Sequence, residues 1–177
     1  MKTKLGAIAL TLPIALAALT GCSVTDTNNS DDIPSSGVST SSDAAEGAKK
    51  TSSELYNLIG LKGKASDTGP GVKACGKKDP DKYFQIFHSW SFTLTSSEQL
   101  DGAMEQLKSK LPQHGWEVVE YGPDSSRNKN LSLTVDNETT KFSVKVISQA
   151  KDNPSNLSFF VVSGCYQVPD GQKIEQF

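Results

Sequence analysis

Few side chains in this 177-residue chain have the type and spacing to do chemistry. Only two histidines offer an imidazole. His88 falls on the apolar register of an alternating segment, between Ile86 and Trp90, and reads as a hydrogen-bonded, semi-buried ring rather than a free base. His114 lies in a Pro112-to-Gly115 helix exit, where a histidine caps terminal carbonyls. Asp67-Thr68-Gly69 matches the aspartic-protease triplet. That chemistry needs two carboxylates sharing a proton, and no second copy exists. The chain holds no G-x-S-x-G elbow, HExxH, phosphate-binding loop or dinucleotide glycine fingerprint. Catalytic residues are therefore not assigned, and no cofactor or metal is implied. The residues left for contact with a ligand or partner are polar and aromatic. Asp124, Ser125, Arg127 and Lys129 form the densest polar loop, suited to an anion or saccharide. Trp90 and Trp116, with Tyr83 and Tyr121, have the aromatic surface to line a pocket for an apolar or sugar ligand. Lys73, Lys77, Lys78 and Lys82 make a small basic cluster that would suit anionic headgroups or wall polymer.

The elements that position these residues begin with a leader. Lys2 and Lys4 precede a short apolar run from Leu5 to Thr20, which is too short and wrongly flanked for a spanning helix. It reads as a secretory signal peptide over residues 1–21. The following Leu19-Thr20-Gly21-Cys22 resembles the lipobox of bacterial lipoproteins. That resemblance implies a diacylglyceryl group on Cys22, cleavage before it, and a domain held on the outer face of the cell membrane by its acyl chains. It places Cys75 and Cys165 in an oxidising compartment, where a disulfide between them is the natural reading. Neither has a CxxC partner or a nearby histidine to suggest a metal pair.

Residues 22–53 are expected to form a disordered tether rich in Ser, Thr, Asp, Asn and Gly, since so few large apolar residues cannot offset ordering entropy. Residues 54–177 form one domain. With 15 acids and 14 bases it is nearly neutral and has no basic stripe for nucleic acid. Within it, Thr51-Ser52-Ser53 caps a short helix from Glu54 to Gly60. Residues 60–82 read as loop, because Gly and Pro recur throughout. Phe84 to Leu94 alternates with period two, a half-buried strand. Leu100, Ala103, Met104, Leu107 and Leu111 share one helical face, and Thr95/Glu98 or Ser96/Gln99 has capping-box spacing. Four strands follow, around residues 116–121, 131–135, 142–146 and 157–162, joined by short turns. The expected fold is an α+β two-layer sandwich, β-α-β-β-β-β, with one main helix on a mostly antiparallel five-stranded sheet. The last strand is apolar on both faces, and the 54–61 helix is the available cover for the second.

Chain direction tests this count. If the first strand runs up, the helix brings the chain back and the second also runs up; three short turns then send the rest down, up and down. Cys165, just after the fifth strand, thus meets Cys75, just before the first, at one end of the sheet. The fifth strand is expected near the first. The opposite end, with Thr95 and the Gly122–Asn130 loop, is the expected contact surface.

A Cys before the first strand, a helix with a lysine-and-glycine exit, and Ser163-Gly164-Cys165 closing the last strand resemble the LppA-like lipoproteins of mycobacteria. That family carries no established catalytic residues over to this chain. The expectation is a non-enzymatic envelope lipoprotein that binds a small ligand, a wall component or an envelope protein. A lipid-anchored hydrolase and a structural spacer are the alternatives. His88 opening into a cleft with an Asp or Ser nearby would favour the hydrolase.

Overall fold

The structure, a computed structural model, describes residues 33–177. The leader and Cys22 lie outside the described residues. Nine strands form one mixed sheet: β1 (Ser35–Val38), β2 (Gly63–Ala65), β3 (Gly71–Ala74), β4 (Tyr83–Leu94), β5 (Glu117–Pro123), β6 (Leu131–Asn137), β7 (Phe142–Gln149), β8 (Asn156–Ser163) and β9 (Cys165–Gln167). Two α-helices accompany them, α1 (Ser41–Ile59) and α2 (Leu100–Lys110).

The expected meander is β4 to β8. It lies in the order β4-β8-β7-β6-β5, with every neighbouring pair antiparallel. Strand direction therefore follows the predicted parity, and the fifth meander strand, β8, lies beside the first, β4. The sheet is larger than the sequence predicts. The glycine-rich 60–82 segment contributes β2 and β3, both antiparallel to β4. Its glycines do not stop it pairing, because one of them makes room: a Cβ on Gly71 would stand 2.7 Å from the Phe87 ring that covers it. β9 continues the line of β8 along β4 and takes β1 as a parallel neighbour.

The second correction is α1. Residues 41–53, expected as tether, form its first turns. Thr40 Oγ1 accepts from the Asp43 amide at 3.1 Å, and Gly60, with φ 64°, ends the helix. Its buried stripe is Ser41, Ala44, Ala45, Ala48, Thr51, Ser52, Leu55 and Ile59. That is a helical repeat written largely in small residues, which bury little area singly but let the helix sit close to the sheet.

Both helices cover the same face. Cross-strand pairing places Trp90, Phe159, Val146, Leu133 and Tyr121 in one row. Tyr56 of α1 meets Phe92, two residues along β4 from Trp90, and Glu105 of α2 accepts from the Tyr121 hydroxyl at 2.8 Å. One continuous core lies between the helices and this face. The 54–61 segment therefore does not cover the second face of β8. There Phe87 and Phe160 stay 38% and 39% exposed.

Candidate functional site

The sequence places His88 on the inward register of β4, and the structure shows what meets it there. Its ring is 7% exposed. Nε2 lies 2.9 Å from the Thr68 carbonyl oxygen, and Nδ1 lies 2.8 Å from Ser52 Oγ. A carbonyl only accepts, so the ring carries a proton on Nε2. In the neutral ring Nδ1 then accepts from the Ser52 hydroxyl. Thr68 is itself pinned, its hydroxyl donating to the Ser89 carbonyl at 2.8 Å. His88 thus joins three segments: α1 through Ser52, the β2–β3 loop through Thr68, and its own strand. The Asp67-Thr68-Gly69 triplet supplies a main-chain acceptor here rather than a catalytic acid.

Beside this ring an open groove of about 540 Å³ runs between α1 and β4, lined by Lys49, Ser52, Ser53, Tyr56, Asn57, Ala65, Ser66, His88 and Trp90. The α1 residues recur at helical spacing and form one wall; Ala65 and Ser66 form the other, with His88 and Trp90 between them. The volume is that of a small-molecule site. Trp90 is 7% exposed and stacks on Phe159, ring centroids 4.0 Å apart. Its indole Nε1–H has no hydrogen-bond partner among the described residues. The nitrogen is sealed from solvent, so what Trp90 brings to the groove is ring surface.

The other expected contact residues are elsewhere. Trp116 is buried just before β5, its amide donating to the Leu111 carbonyl at 3.2 Å, and belongs to the core. Tyr83 reaches Gln167, and Tyr121 is engaged by Glu105 with Lys108 4.1 Å from its ring centroid. Burial, followed by the hydrogen bond and charge of Glu105, pushes the Tyr121 hydroxyl up to about 12. The expected four-aromatic pocket is therefore not formed: of the four, Trp90 alone lines the groove, and Tyr56 joins it instead. Asp124, Ser125, Arg127 and Lys129 sit in the β5–β6 loop. β5 is four strand spacings from β4, about 19 Å across the sheet. Asp124 organises that loop, its Oδ1 accepting from the Ser126 and Asn130 amides at 3.0 Å and from the Ser126 hydroxyl. The Ser126 hydroxyl, with the two amides, holds the Asp124 carboxyl below its usual range.

Cys75 and Cys165 form a disulfide with their Cα atoms 5.8 Å apart. It closes the end of the sheet where β1 begins, since the Cys165 amide donates to the Pro34 carbonyl at 2.7 Å. Among the described residues no group of three or more His, Cys, Asp or Glu is placed to hold a metal ion, and no helix is long and apolar enough to cross a membrane. Sequence reasoning missed Ser52, Ser53, Tyr56 and Lys49, all on the segment read as tether or helix start. The one available signal was a polar histidine on an apolar register, which demands a partner.

No family model matches the chain, and no curated protein or solved structure shows significant similarity to it.

Proposed function

We propose that this chain is a membrane-anchored envelope lipoprotein whose domain binds a small ligand in the α1–β4 groove without transforming it. The observation that carries the binding reading is the groove itself, about 540 Å³, with the Tyr56 and Trp90 rings and the Lys49 and Asn57 side chains in its lining. The anchor reading rests on the leader and lipobox-like Leu19-Thr20-Gly21-Cys22. Under it β1 begins 13 residues beyond the acylated cysteine, a reach of at most about 47 Å, so the end of the sheet carrying β1 and the disulfide stays within that distance of the bilayer. Cys22→Ala should abolish acylation and release the protein from the membrane fraction. Retention there with no acyl mass on the wild-type chain would refute the anchor. The binding reading is tested with a photo-crosslinking residue at Asn57 in intact cells. A small-molecule adduct supports it, and the absence of any adduct counts against it.

A second reading, a hydrolase, is favoured by the 2.8 Å contact between Ser52 Oγ and His88 Nδ1, a nucleophile-and-base spacing. Ser52 lies in the middle of α1, however, where the backbone N–H groups are committed to the helix and leave no oxyanion donors beside the hydroxyl. A fluorophosphonate adduct on Ser52 would support the hydrolase over the binding protein.

A further inference from the structure

We propose that the sheet face left open by the helices rests on the bilayer, through Phe87, Phe160 and the lysines around them, and that the surface it fits is anionic lipid. The proposal rests on the anchor reading and adds which side of the domain meets the membrane. Phe87 pairs with Val162 and Ser89 with Phe160, so the two rings are diagonal neighbours on the outward rows of β4 and β8. They are 38% and 39% exposed. Ile147 of β7, opposite Ser158, extends the apolar surface on the same face.

Charge favours a bilayer as the occupant. β2, β3, β4, β7 and β8 contain no Asp or Glu. The lysines they carry all fall on the outward rows: Lys64 opposite Thr93, Lys73 opposite Gln85 and Lys145 opposite Phe160. Lys145 also lends its charge to Asp124. The acids of the same face, Asp136, Glu117 and Glu120, are confined to β6 and β5, at one edge of the sheet. The helix side, by contrast, mixes both signs along α1 and α2. Rings flanked by cations, with the acids set to one side, match an anionic interface, where apolar groups enter between headgroups and ammonium groups meet phosphate. The chain also arrives on this face. Ile33 and Pro34 border a cleft of about 220 Å³ with Gln85, Ser143 and Val162, all on the outward rows. Under the anchor reading the acylated Cys22 lies 11 residues before Ile33, so the direct route from lipid to domain leads to the open face. The helix layer, and the α1–β4 groove with it, then points away from the bilayer.

The test uses the acylated full chain in vesicles of phosphatidylcholine and phosphatidylglycerol with brominated acyl chains, which quench tryptophan on contact. Trp90 and Trp116 are 7% and 6% exposed and give a constant background. Phe160→Trp places a reporter on the open face, and Tyr56→Trp places one on α1, at a position 44% exposed. Each exchanges one exposed ring for another, and an unchanged melting curve verifies the fold. Flotation with the vesicles reports the anchor separately. The Phe160→Trp signal should be quenched and shifted to the blue, and the Tyr56→Trp signal should be unaffected by bromine. Lys64→Gln, Lys73→Gln and Lys145→Gln should each shift the balance from seated to lifted domains by about 5-fold, the worth of one basic residue at an anionic surface. A floating protein whose Phe160→Trp is unquenched, or whose Tyr56→Trp is quenched as strongly, overturns the face and leaves the anchor standing. Quenching as strong in phosphatidylcholine alone overturns the anionic class. A blue shift that grows with protein concentration, without quenching, assigns the face to a second copy of the chain and overturns the lipid contact. If the protein does not float, the anchor reading fails and the contact falls with it.

Discussion

Ser52→Ala separates two effects of opposite sign. Serine is a poorer helix former than alanine by roughly 0.5 kcal/mol, so on propensity alone the substitution stabilises α1. The structure predicts the reverse. Ser52 and His88 are 6% and 7% exposed, and their side chains meet at 2.8 Å. Removing the hydroxyl leaves His88 Nδ1 buried without a donor, at a cost of about 1–3 kcal/mol. The net expectation is a loss of roughly 1–2 kcal/mol, or a fall in melting temperature of about 3–6 °C for a domain of this size. Urea unfolding of wild type, Ser52→Ala, His88→Leu and the double variant supplies the full cycle. In the His88→Leu background no ring nitrogen remains to be orphaned, so Ser52→Ala should become neutral or stabilising. A coupling of about 1 kcal/mol or more between the two sites is therefore expected. If Ser52→Ala stabilises the wild-type protein, the hydrogen bond does not exist in solution and the account of the groove's architecture fails with it.

The remaining expectations concern the staple, the helix layer and the polar loop. Replacing Cys75 and Cys165 together by alanine, a pair 90 residues apart, should cost about 4–5 kcal/mol by the chain-entropy relation; a loss under 1 kcal/mol in urea, or non-reducing peptide maps without that bridge, would contradict it. Leu107, fully buried on α2, should lose about 2–5 kcal/mol as Leu107→Ala, whereas Lys108→Ala on the exposed side should lose less than about 1 kcal/mol; equal losses would mean that the helix face is misassigned. The Asp124 carboxyl is acidified in the fold, so its support of the loop is complete above the ordinary aspartate range and disappears as pH falls through its own lower midpoint. A carboxyl-carbon titration should find that midpoint below an ordinary aspartate and Ser126→Ala should raise it; no response to Ser126→Ala would refute the assignment.

How far the sequence could be read depended on how each element announces itself. The alternation from Phe84 to Leu94 marks a strand whose inward row is Phe84, Ile86, His88, Trp90, Phe92 and Leu94, all buried. α2 carries its repeat in Leu and Met, so its face is legible as well. Turn residues between β5 and β8 fixed strand direction, and direction put the two cysteines at one end. What stayed hidden lacked such a signal. β2, β3 and β9 are three or four residues long, below the length at which a period shows, and exist because β4 offers both edges. The location of the groove was hidden too, because it is a tertiary coincidence of α1, the β2–β3 loop and β4.

The misreading of α1 has a physical cause that bears on function. Thr51-Ser52-Ser53 is an ill-suited run for a helix interior, and the stretch from Lys49, lacking large apolar residues, is what a tether looks like. It is nonetheless helical, capped by Thr40 and Gly60 and held by alanines packed close to the sheet. Local preference and tertiary structure disagree here. Such disagreements concentrate where a protein needs particular side chains rather than the best helix formers. Alanine at position 52 would serve the helix better but would leave His88 without its donor. Lysine at 49 and serine at 53 contribute nothing to the buried stripe, yet both face the groove. Three of the polar residues that conceal the helix, Lys49, Ser52 and Ser53, thus line the groove, and this links an unlikely helix sequence to a site built from His88 and Trp90 on the strand opposite.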